Sequence, residues 1–274
     1  IANVQRFYDR GVRYITLAHS ANNRIADSSY VQDKQWNGLS PFGRQVVKEM
    51  NQLGIMVDVS HLGDASAMEA IELSTVPVIA SHSAFRHFTP GFERNISDEL
   101  AKAVAAKGGV VQVPFGSAFI DPASAADTQA HFRAINDFDK RNAELKAQGQ
   151  PEQDRKAFDK AWEDAHPPHQ STLAQVLDQI DYGVKLIGVD HVGIGSDFDG
   201  VDGELPGQLK TVSVSSAPPA SWPSCTPAKV TTGISALRST CTRSTRPAST
   251  PLARAVLTKS MPMTSSMAAR VSRA

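Results

Sequence analysis

Short runs of apolar, largely β-branched residues recur along the first three quarters of the chain. They span Val12–Ala18, Ile55–Ser60, Val76–Ser81, Val110–Phe115 and His191–Gly195. Runs of this length and composition predict buried strands of a parallel sheet. Three of them lead directly into a residue that can bind a metal or carry a proton, namely His19, His61 and His82. Such residues at strand ends are typical of an active site at the carboxyl edge of a sheet.

Segments with helical periodicity separate the predicted strands. Ser40 and Pro41 provide an N-cap and a first-turn proline for a helix that ends near Leu53. Further helices are predicted at Asp64–Leu73, Ser97–Ala106 and Thr172–Ile187. Alternating strands and helices predict parallel βαβ units, in either a doubly wound sheet or a (β/α) barrel. Because the sequence predicts five strands and a closed barrel has eight, the sheet is open or strands are missing.

Composition divides the chain near residue 210. Residues 1–210 hold all 28 acidic residues. Within them, a charged, alanine-rich segment at about 120–170 favours a solvent-exposed helical hairpin inserted between barrel units. Residues 211–274 are rich in Ser, Thr, Pro and Arg, with eight Lys or Arg and no Asp or Glu. The formal net charge of zero thus combines an acidic body with a basic tail.

The tail at 211–274 allows two interpretations. One is a disordered basic segment that binds nucleic acid or an anionic membrane. The other is a reading-frame shift in the gene. We favour the shift, because the basic residues are scattered and apolar periodicity is lost at a single point. A periodic, acid-containing helix in another reading frame would confirm it.

The residue types of the body exclude several kinds of chemistry. Both cysteines, Cys225 and Cys241, lie in the tail, so residues 1–210 offer no thiol for a disulfide, a thiolate zinc site or a nucleophile. No Gly-x-Ser-x-Gly motif supports a serine nucleophile. The sequence contains no run of about 18 apolar residues, so it predicts no membrane-spanning helix.

His61 and His82 are the strongest candidates for metal ligands. They lie 21 residues apart, which is about one strand–helix–strand unit and places them at equivalent ends of neighbouring parallel strands. Imidazoles without a cysteine nearby suit zinc or a similar borderline cation. A single histidine is more often a hydrogen-bonded core or surface residue, whereas this matched pair favours a metal site.

Three further residues are candidates for catalysis or substrate binding. Asp197 follows the last predicted strand, where it could bind a second cation or accept a proton. His19 ends the first predicted strand and has either a structural role or an electrophilic, substrate-orienting one. Arg94 precedes a predicted helix. It is either a carboxylate clamp or a surface arginine paired with Glu93 or Asp98.

Long motifs in the body identify a family. The stretch from about Gly11 to Leu209 resembles the renal-type membrane dipeptidases and their bacterial relatives, which are zinc metallopeptidases. The resemblance rests on RYITLAHSANN, DSSY, WNGLSPFG, VDVSHL, PVIASHS, AFRHFTPGFERN and IDYGVKLIGVDHVGIGSDFDG. It implies an α/β fold of the (β/α)8 TIM-barrel type that hydrolyses dipeptides with two bridged Zn²⁺ ions.

The resemblance also implies a role for each candidate residue. His61 and His82 match the ligands of one Zn²⁺ ion, and Asp197 matches the aspartate that contacts substrate at the metal centre and handles the catalytic proton. His19 matches the histidine that binds substrate and stabilises the oxyanion, and Arg94 the arginine that grips the C-terminal carboxylate. A metal-bridging hydroxide is the implied nucleophile. The implied partners are a dipeptide and a second copy in a homodimer, with no nucleic acid.

Two features depart from the family's pattern. The His-x-Asp pair of the first strand and the glutamate that bridges the metals match no residue after Ile1, so we expect an N-terminally truncated barrel that holds one Zn²⁺ ion or none well. The helix expected after GELPGQLK is not recognisable from Thr211 onward. We therefore expect the chain itself to be inactive or poorly folded. A non-catalytic remnant of the fold and another metal-dependent amidohydrolase are the alternatives.

Overall fold

The computed structural model describes residues 1–167, 169–201 and 204–209. The expected disordered or frameshifted tail at 211–274 lies outside the described residues. Within the described ranges, no helix is both long and apolar enough to cross a membrane.

Five parallel strands form one sheet in the described part of the chain. The strands are β1 (Tyr14–Thr16), β2 (Met56–Asp58), β3 (Ile79–Ala80), β4 (Val110–Val113) and β5 (Val192–Ile194). Each lies within one of the predicted apolar runs, so these strand predictions are confirmed. Neighbours in the sheet are also neighbours in the chain, in the order β1-β2-β3-β4-β5.

This strand order distinguishes between the two predicted sheet types. A doubly wound sheet reverses its order at a switch point, and the five described strands show no such reversal. An unbroken sequential order of parallel strands is what one arc of a (β/α) barrel requires. The described sheet is nevertheless open, since β1 and β5 do not pair with each other. The closed eight-stranded barrel and the missing N-terminal strands remain predictions.

Eight α-helices accompany the strands within the described residues. They are α1 (Ala2–Asp9), α2 (Pro41–Leu53), α3 (Asp64–Leu73), α4 (Asp98–Ala106), α5 (Ser117–Ile120), α6 (Pro122–Ala147), α7 (Arg155–Ala165) and α8 (Leu173–Ile187). The four helices predicted from periodicity are α2, α3, α4 and α8. The sequence pattern did not predict α1 or α5. The charged segment at about 120–170 contains α6 and α7.

Capping residues set where the predicted helices begin. The Ser40 hydroxyl accepts a hydrogen bond from the backbone N–H of Gly43 at 2.9 Å, and Ser97 caps α4 in the same way. Thr172 and Gln175 form a reciprocal capping box at the start of α8. These contacts span at most three residues, which is why the sequence located the helix starts closely.

Helix α8 packs closely against the segment that follows β3 and is hydrogen-bonded to it. The side-chain oxygen of Gln179 accepts a hydrogen bond from the backbone N–H of Phe85 at 2.7 Å, and both residues are fully buried. Gly183, one turn further along α8, lies so close to the Phe85 ring that a Cβ would collide with it. This contact therefore fixes the chain just beyond His82, where the candidate site lies.

Replacing Gly183 by alanine should destabilise the protein. Alanine favours a helix by about 1 kcal/mol, but overpacking against Phe85 costs about 1–3 kcal/mol. We expect a net loss of about 1 kcal/mol in the free energy of unfolding, measured by urea denaturation. The exposed substitution Lys185→Ala in the same helix is the control and should change that free energy by less than about 0.5 kcal/mol. A Gly183→Ala protein as stable as the parent would contradict the packing described.

Candidate metal centre

The ends of β1, β2 and β3 bring three histidines to one edge of the sheet. The parallel register pairs Thr16 with Asp58, so the chain leaves neighbouring strands at the same level. His19, His61 and His82 follow within three residues of their strands. The rings of His19 and His61 stack with centroids 4.1 Å apart, and the ring centroids of His61 and His82 are 4.8 Å apart. Parallel pairing thus brings to one level the three strand ends that carry the cluster.

His61 and His82 direct the same ring nitrogen toward one point. Their Nε2 atoms are 2.8 Å apart. His61 is 7% exposed, and its Nδ1 has no hydrogen-bond partner among the described residues. The Nδ1 of His82, in contrast, lies 2.7 Å from the hydroxyl of Ser81. The pair converges through Nε2, and only one of the two rings is anchored at its far side.

Burial keeps both imidazoles neutral. Desolvation is the largest cause and lowers the pKa of His82 to about 2. It lowers the pKa of His61 strongly as well. The positive charge of Arg94 acts on both rings in the same direction. A neutral imidazole has a free lone pair, which is the form that binds zinc.

Two site residues adopt a left-handed backbone conformation. The φ angle is +68° at His61 and +60° at Asp197. For a residue with a Cβ this conformation costs about 1–2 kcal/mol, and such strain concentrates at functional sites. The backbone N–H of Ser29 donates to the carbonyl of His61 at 2.8 Å. The loop after β1 therefore stabilises the strained turn after β2.

Asp197 follows β5 in a partly desolvated position. The end of β5 can approach the carbonyl of Ser81 because residue 195 is a glycine. The Cβ of any other residue at this position would collide with that oxygen. Burial raises the pKa of Asp197 to about 6, although the nearby Arg94 opposes the shift and Asp199 adds to it. A carboxyl group that titrates near neutral pH can both accept and return a proton.

Arg94 is buried beside the histidines without a carboxylate bonded to it. It is 2% exposed. Its Nη1 donates to the hydroxyl of Ser83 at 3.2 Å and its Nη2 to the carbonyl of His82 at 2.9 Å, while Nε has no partner among the described residues. Asp197 and Asp58 offset its charge only at longer range. A buried guanidinium without a bonded anion is costly, so an anionic ligand is its natural partner.

The alternative of Arg94 as a surface arginine in an ion pair is wrong. Glu93 instead forms an ion pair with Lys34 at 2.7 Å. Asp98 instead accepts a hydrogen bond from the hydroxyl of Tyr182 at 2.7 Å. Both acidic neighbours that spacing suggested are thus engaged elsewhere, which leaves the guanidinium turned toward the histidines.

An aromatic pair that the sequence analysis missed borders the site. The ring of Tyr30 lies 5.9 Å from that of His61 and stacks on Phe132 with centroids 3.9 Å apart. Tyr30 lies close enough to Arg94 for the guanidinium charge to oppose the rise that burial causes in the pKa of Tyr30. Phe132 belongs to α6, so the charged segment contacts the site as well as solvent. Tyr30 lies in the DSSY motif, but no local pattern connects that motif with α6.

The two Nε2 atoms fit one edge of a zinc tetrahedron. Zinc–imidazole bonds of about 2.0–2.1 Å place two ligand nitrogens about 3.3 Å apart. The 2.8 Å separation would therefore need to widen by only about 0.5 Å. Within the described ranges, no group of three His, Cys, Asp or Glu could hold a metal ion. The described residues thus supply two converging imidazoles of a coordination shell.

Comparison with known proteins identifies similar chains. Residues 1–216 match the family model for membrane dipeptidase, peptidase family M19. The chain is 30% identical over 213 residues to dipeptidase tcpJ of Claviceps purpurea and 34% identical over 198 residues to dipeptidase verJ of Clonostachys rogersoniana. These matches cover 77% and 72% of this chain but 39% of each relative. The chain thus spans about two fifths of the length of these curated relatives.

A solved structure is similar as well. The crystal structure of the probable dipeptidase PvdM from Pseudomonas aeruginosa is 29% identical, with a TM-score of 0.58, and the match covers 75% of this chain and 55% of that one. The family match itself extends over all the residues that form the sheet and the histidine cluster. The chain belongs to the membrane dipeptidase family, peptidase family M19.

Proposed function

We propose that the chain carries the substrate-facing part of a zinc-dependent dipeptidase site. One observation supports this most strongly: Arg94 is buried beside two converging, neutral imidazoles and has no carboxylate bonded to it. A dipeptide brings what this site lacks, because its C-terminal carboxylate can pair with the guanidinium. The peptide carbonyl one residue away then lies close to the histidines.

Each site residue has a definite task in this proposal. His61 and His82 would hold zinc, which when bound supplies Lewis-acid chemistry for the attack of water on the peptide carbonyl. Asp197 accepts the proton that the attacking water loses and returns it to the leaving amine nitrogen. His19, stacked on His61, donates a hydrogen bond to the carbonyl oxygen as its negative charge develops.

Arg94 limits the length of the substrate. Its guanidinium can donate to both oxygens of a carboxylate in a fixed fork. Because that carboxylate sits one residue from the bond to be cleaved, a longer peptide would place an amide where the guanidinium requires an anion. Tyr30 lies beside the clamp, within electrostatic range of Arg94.

A non-catalytic zinc- or dipeptide-binding protein of the same fold is a second candidate. It is favoured by the finding that the described residues contain no group of three metal-binding side chains. Zinc content and dipeptide turnover of the purified chain separate the candidates. Zinc binding with release of free amino acids supports the enzyme, whereas binding of zinc or dipeptide without release supports the binding protein.

Replacing either His61 or His82 by alanine should weaken zinc binding by about 100-fold or more, because each substitution removes one of two converging ligands. The dissociation constant can be measured by competition with a chromophoric chelator. His87→Ala is the matched control, since His87 is exposed and stacks on Tyr182 away from the pair. Equal zinc affinity in all three variants would rule out the proposed metal pair.

Replacing Arg94 by lysine should selectively weaken binding of substrates with a free C-terminal carboxylate. Lysine keeps the charge but loses the two-pronged contact. We expect the dissociation constant of a dipeptide to rise by about 10- to 100-fold, whereas that of the same dipeptide with an amidated C-terminus changes little. Isothermal titration calorimetry measures both. A parallel loss for the two ligands would indicate that Arg94 has only a structural role.

A further inference from the structure

Asp58 is a buried carboxylate that the proposed chemistry does not use. It has no exposed surface. One oxygen, Oδ2, accepts from the hydroxyls of Thr16 and Ser81, each at 2.6 Å. The other, Oδ1, accepts from the backbone N–H groups of Ser60 and Ser81, each at 3.0 Å. An ionised carboxylate only accepts hydrogen bonds, and its environment provides four donors.

The hydroxyl of Ser81 connects Asp58 to His82, a candidate zinc ligand. We call this chain of hydrogen bonds from Asp58 through Ser81 to His82 the relay. A serine hydroxyl has one proton to donate, and the short contact with Asp58 receives it. The hydroxyl of Ser60 lies 3.5 Å away, too far to compete with Asp58 for that proton. The Ser81 oxygen must therefore accept in its second contact, 2.7 Å from Nδ1 of His82. His82 consequently carries its proton on Nδ1, and its Nε2 retains a lone pair.

The relay acts on only one histidine of the pair. The Nε2 of His82 faces the Nε2 of His61 at 2.8 Å. Since His82 offers a lone pair there, His61 must donate from Nε2 when no metal lies between them. The Nδ1 of His61 has no partner among the described residues that would oppose this tautomer. His82 is thus prepared for a metal, whereas His61 must move its proton from Nε2 before it can bind through that atom.

We propose that Asp58 is a positioning residue that, through Ser81, fixes the tautomer and orientation of His82 so that Nε2 is available to zinc. The inference deepens the proposed function and rests on it for the identity of the metal. The relay itself is a property of the metal-free side chains. Hydrogen bonds of this kind behind a ligand histidine typically contribute about 10- to 100-fold to metal affinity.

The substitution Asp58→Asn reverses the relay and is the main test. The asparagine oxygen can still accept from the two backbone N–H groups, which places its NH₂ toward Ser81. The Ser81 hydroxyl then accepts from that NH₂ and donates to Nδ1 of His82, which moves the imidazole proton to Nε2. We expect ¹⁵N nuclear magnetic resonance of ring-labelled, metal-free protein to show Nδ1–H in the parent and Nε2–H in Asp58→Asn.

Two further variants make the result decisive. Thr16→Val removes a donor to the same Oδ2 but does not touch His82, so it should keep the parent tautomer and zinc affinity. Ser81→Ala removes the relay without altering Asp58, and His82 should then lose its fixed Nδ1–H form. Asp58→Asn and Ser81→Ala should each weaken zinc binding by about 10- to 100-fold. If Asp58→Asn does not fold, Ser81→Ala and Thr16→Val decide the question.

The proposal is overturned if the parent carries its His82 proton on Nε2, or if a folded Asp58→Asn or Ser81→Ala protein keeps a fixed Nδ1–H form. Failure of the proposed function gives a different result. In that case the tautomer changes as described, while the parent and all variants bind zinc equally weakly. The resonance measurement and the zinc titration therefore test the two proposals separately.

Discussion

The carboxylate of Asp58 holds together the ends of three neighbouring strands. It accepts hydrogen bonds from the hydroxyl of Thr16 at the end of β1 and from the backbone N–H of Ser60 just after β2. It also accepts from the backbone N–H and the hydroxyl of Ser81 just after β3. Parallel register brings these groups to one level, and a single carboxylate accepts from all of their donors. The positions of His61 and His82 follow, because each comes directly after a residue that Asp58 anchors.

In the described part of the site beside Asp58, the converging imidazoles lack further metal ligands and the buried guanidinium lacks a bonded anion. Two neutral imidazoles converge on a point with no metal-binding group of three among the described residues, and Arg94 is buried without a bonded carboxylate. Each feature by itself is unfavourable for stability, because buried polar groups cost free energy unless they are paired. Together they favour the proposed occupants, which are a cation at the imidazoles and an anion at the guanidinium.

The sequence predicted the strands and most helices because their signals are local. Apolar, β-branched runs mark each strand, and a capping side chain marks the start of α2, α4 and α8. The predicted strands were longer than the observed ones. Residues such as Leu17 and Ala18 are buried by tertiary packing beyond the end of β1, and hydrophobicity alone does not separate that burial from sheet pairing.

The parts of the site that the sequence did not predict depend on long-range contacts. The role of Asp58 depends on its register with Thr16 and on its hydrogen bond with Ser81. No local sequence pattern indicates either contact. The stacking of Tyr30 on Phe132 joins segments that are far apart in the chain. His61 and His82, in contrast, were predictable as a pair because one strand–helix–strand unit separates them. Periodicity thus located the strand ends, but it could not show which buried groups connect them.

The most direct test of a zinc site at this pair is X-ray absorption at the zinc edge of the loaded chain. We predict two imidazole nitrogens in the first shell, at about 2.0–2.1 Å from the metal. Each of the substitutions His61→Ala and His82→Ala should remove one of these two nitrogens from the first shell. A first shell without imidazole, or one that neither substitution changes, would contradict the assignment of His61 and His82 as zinc ligands.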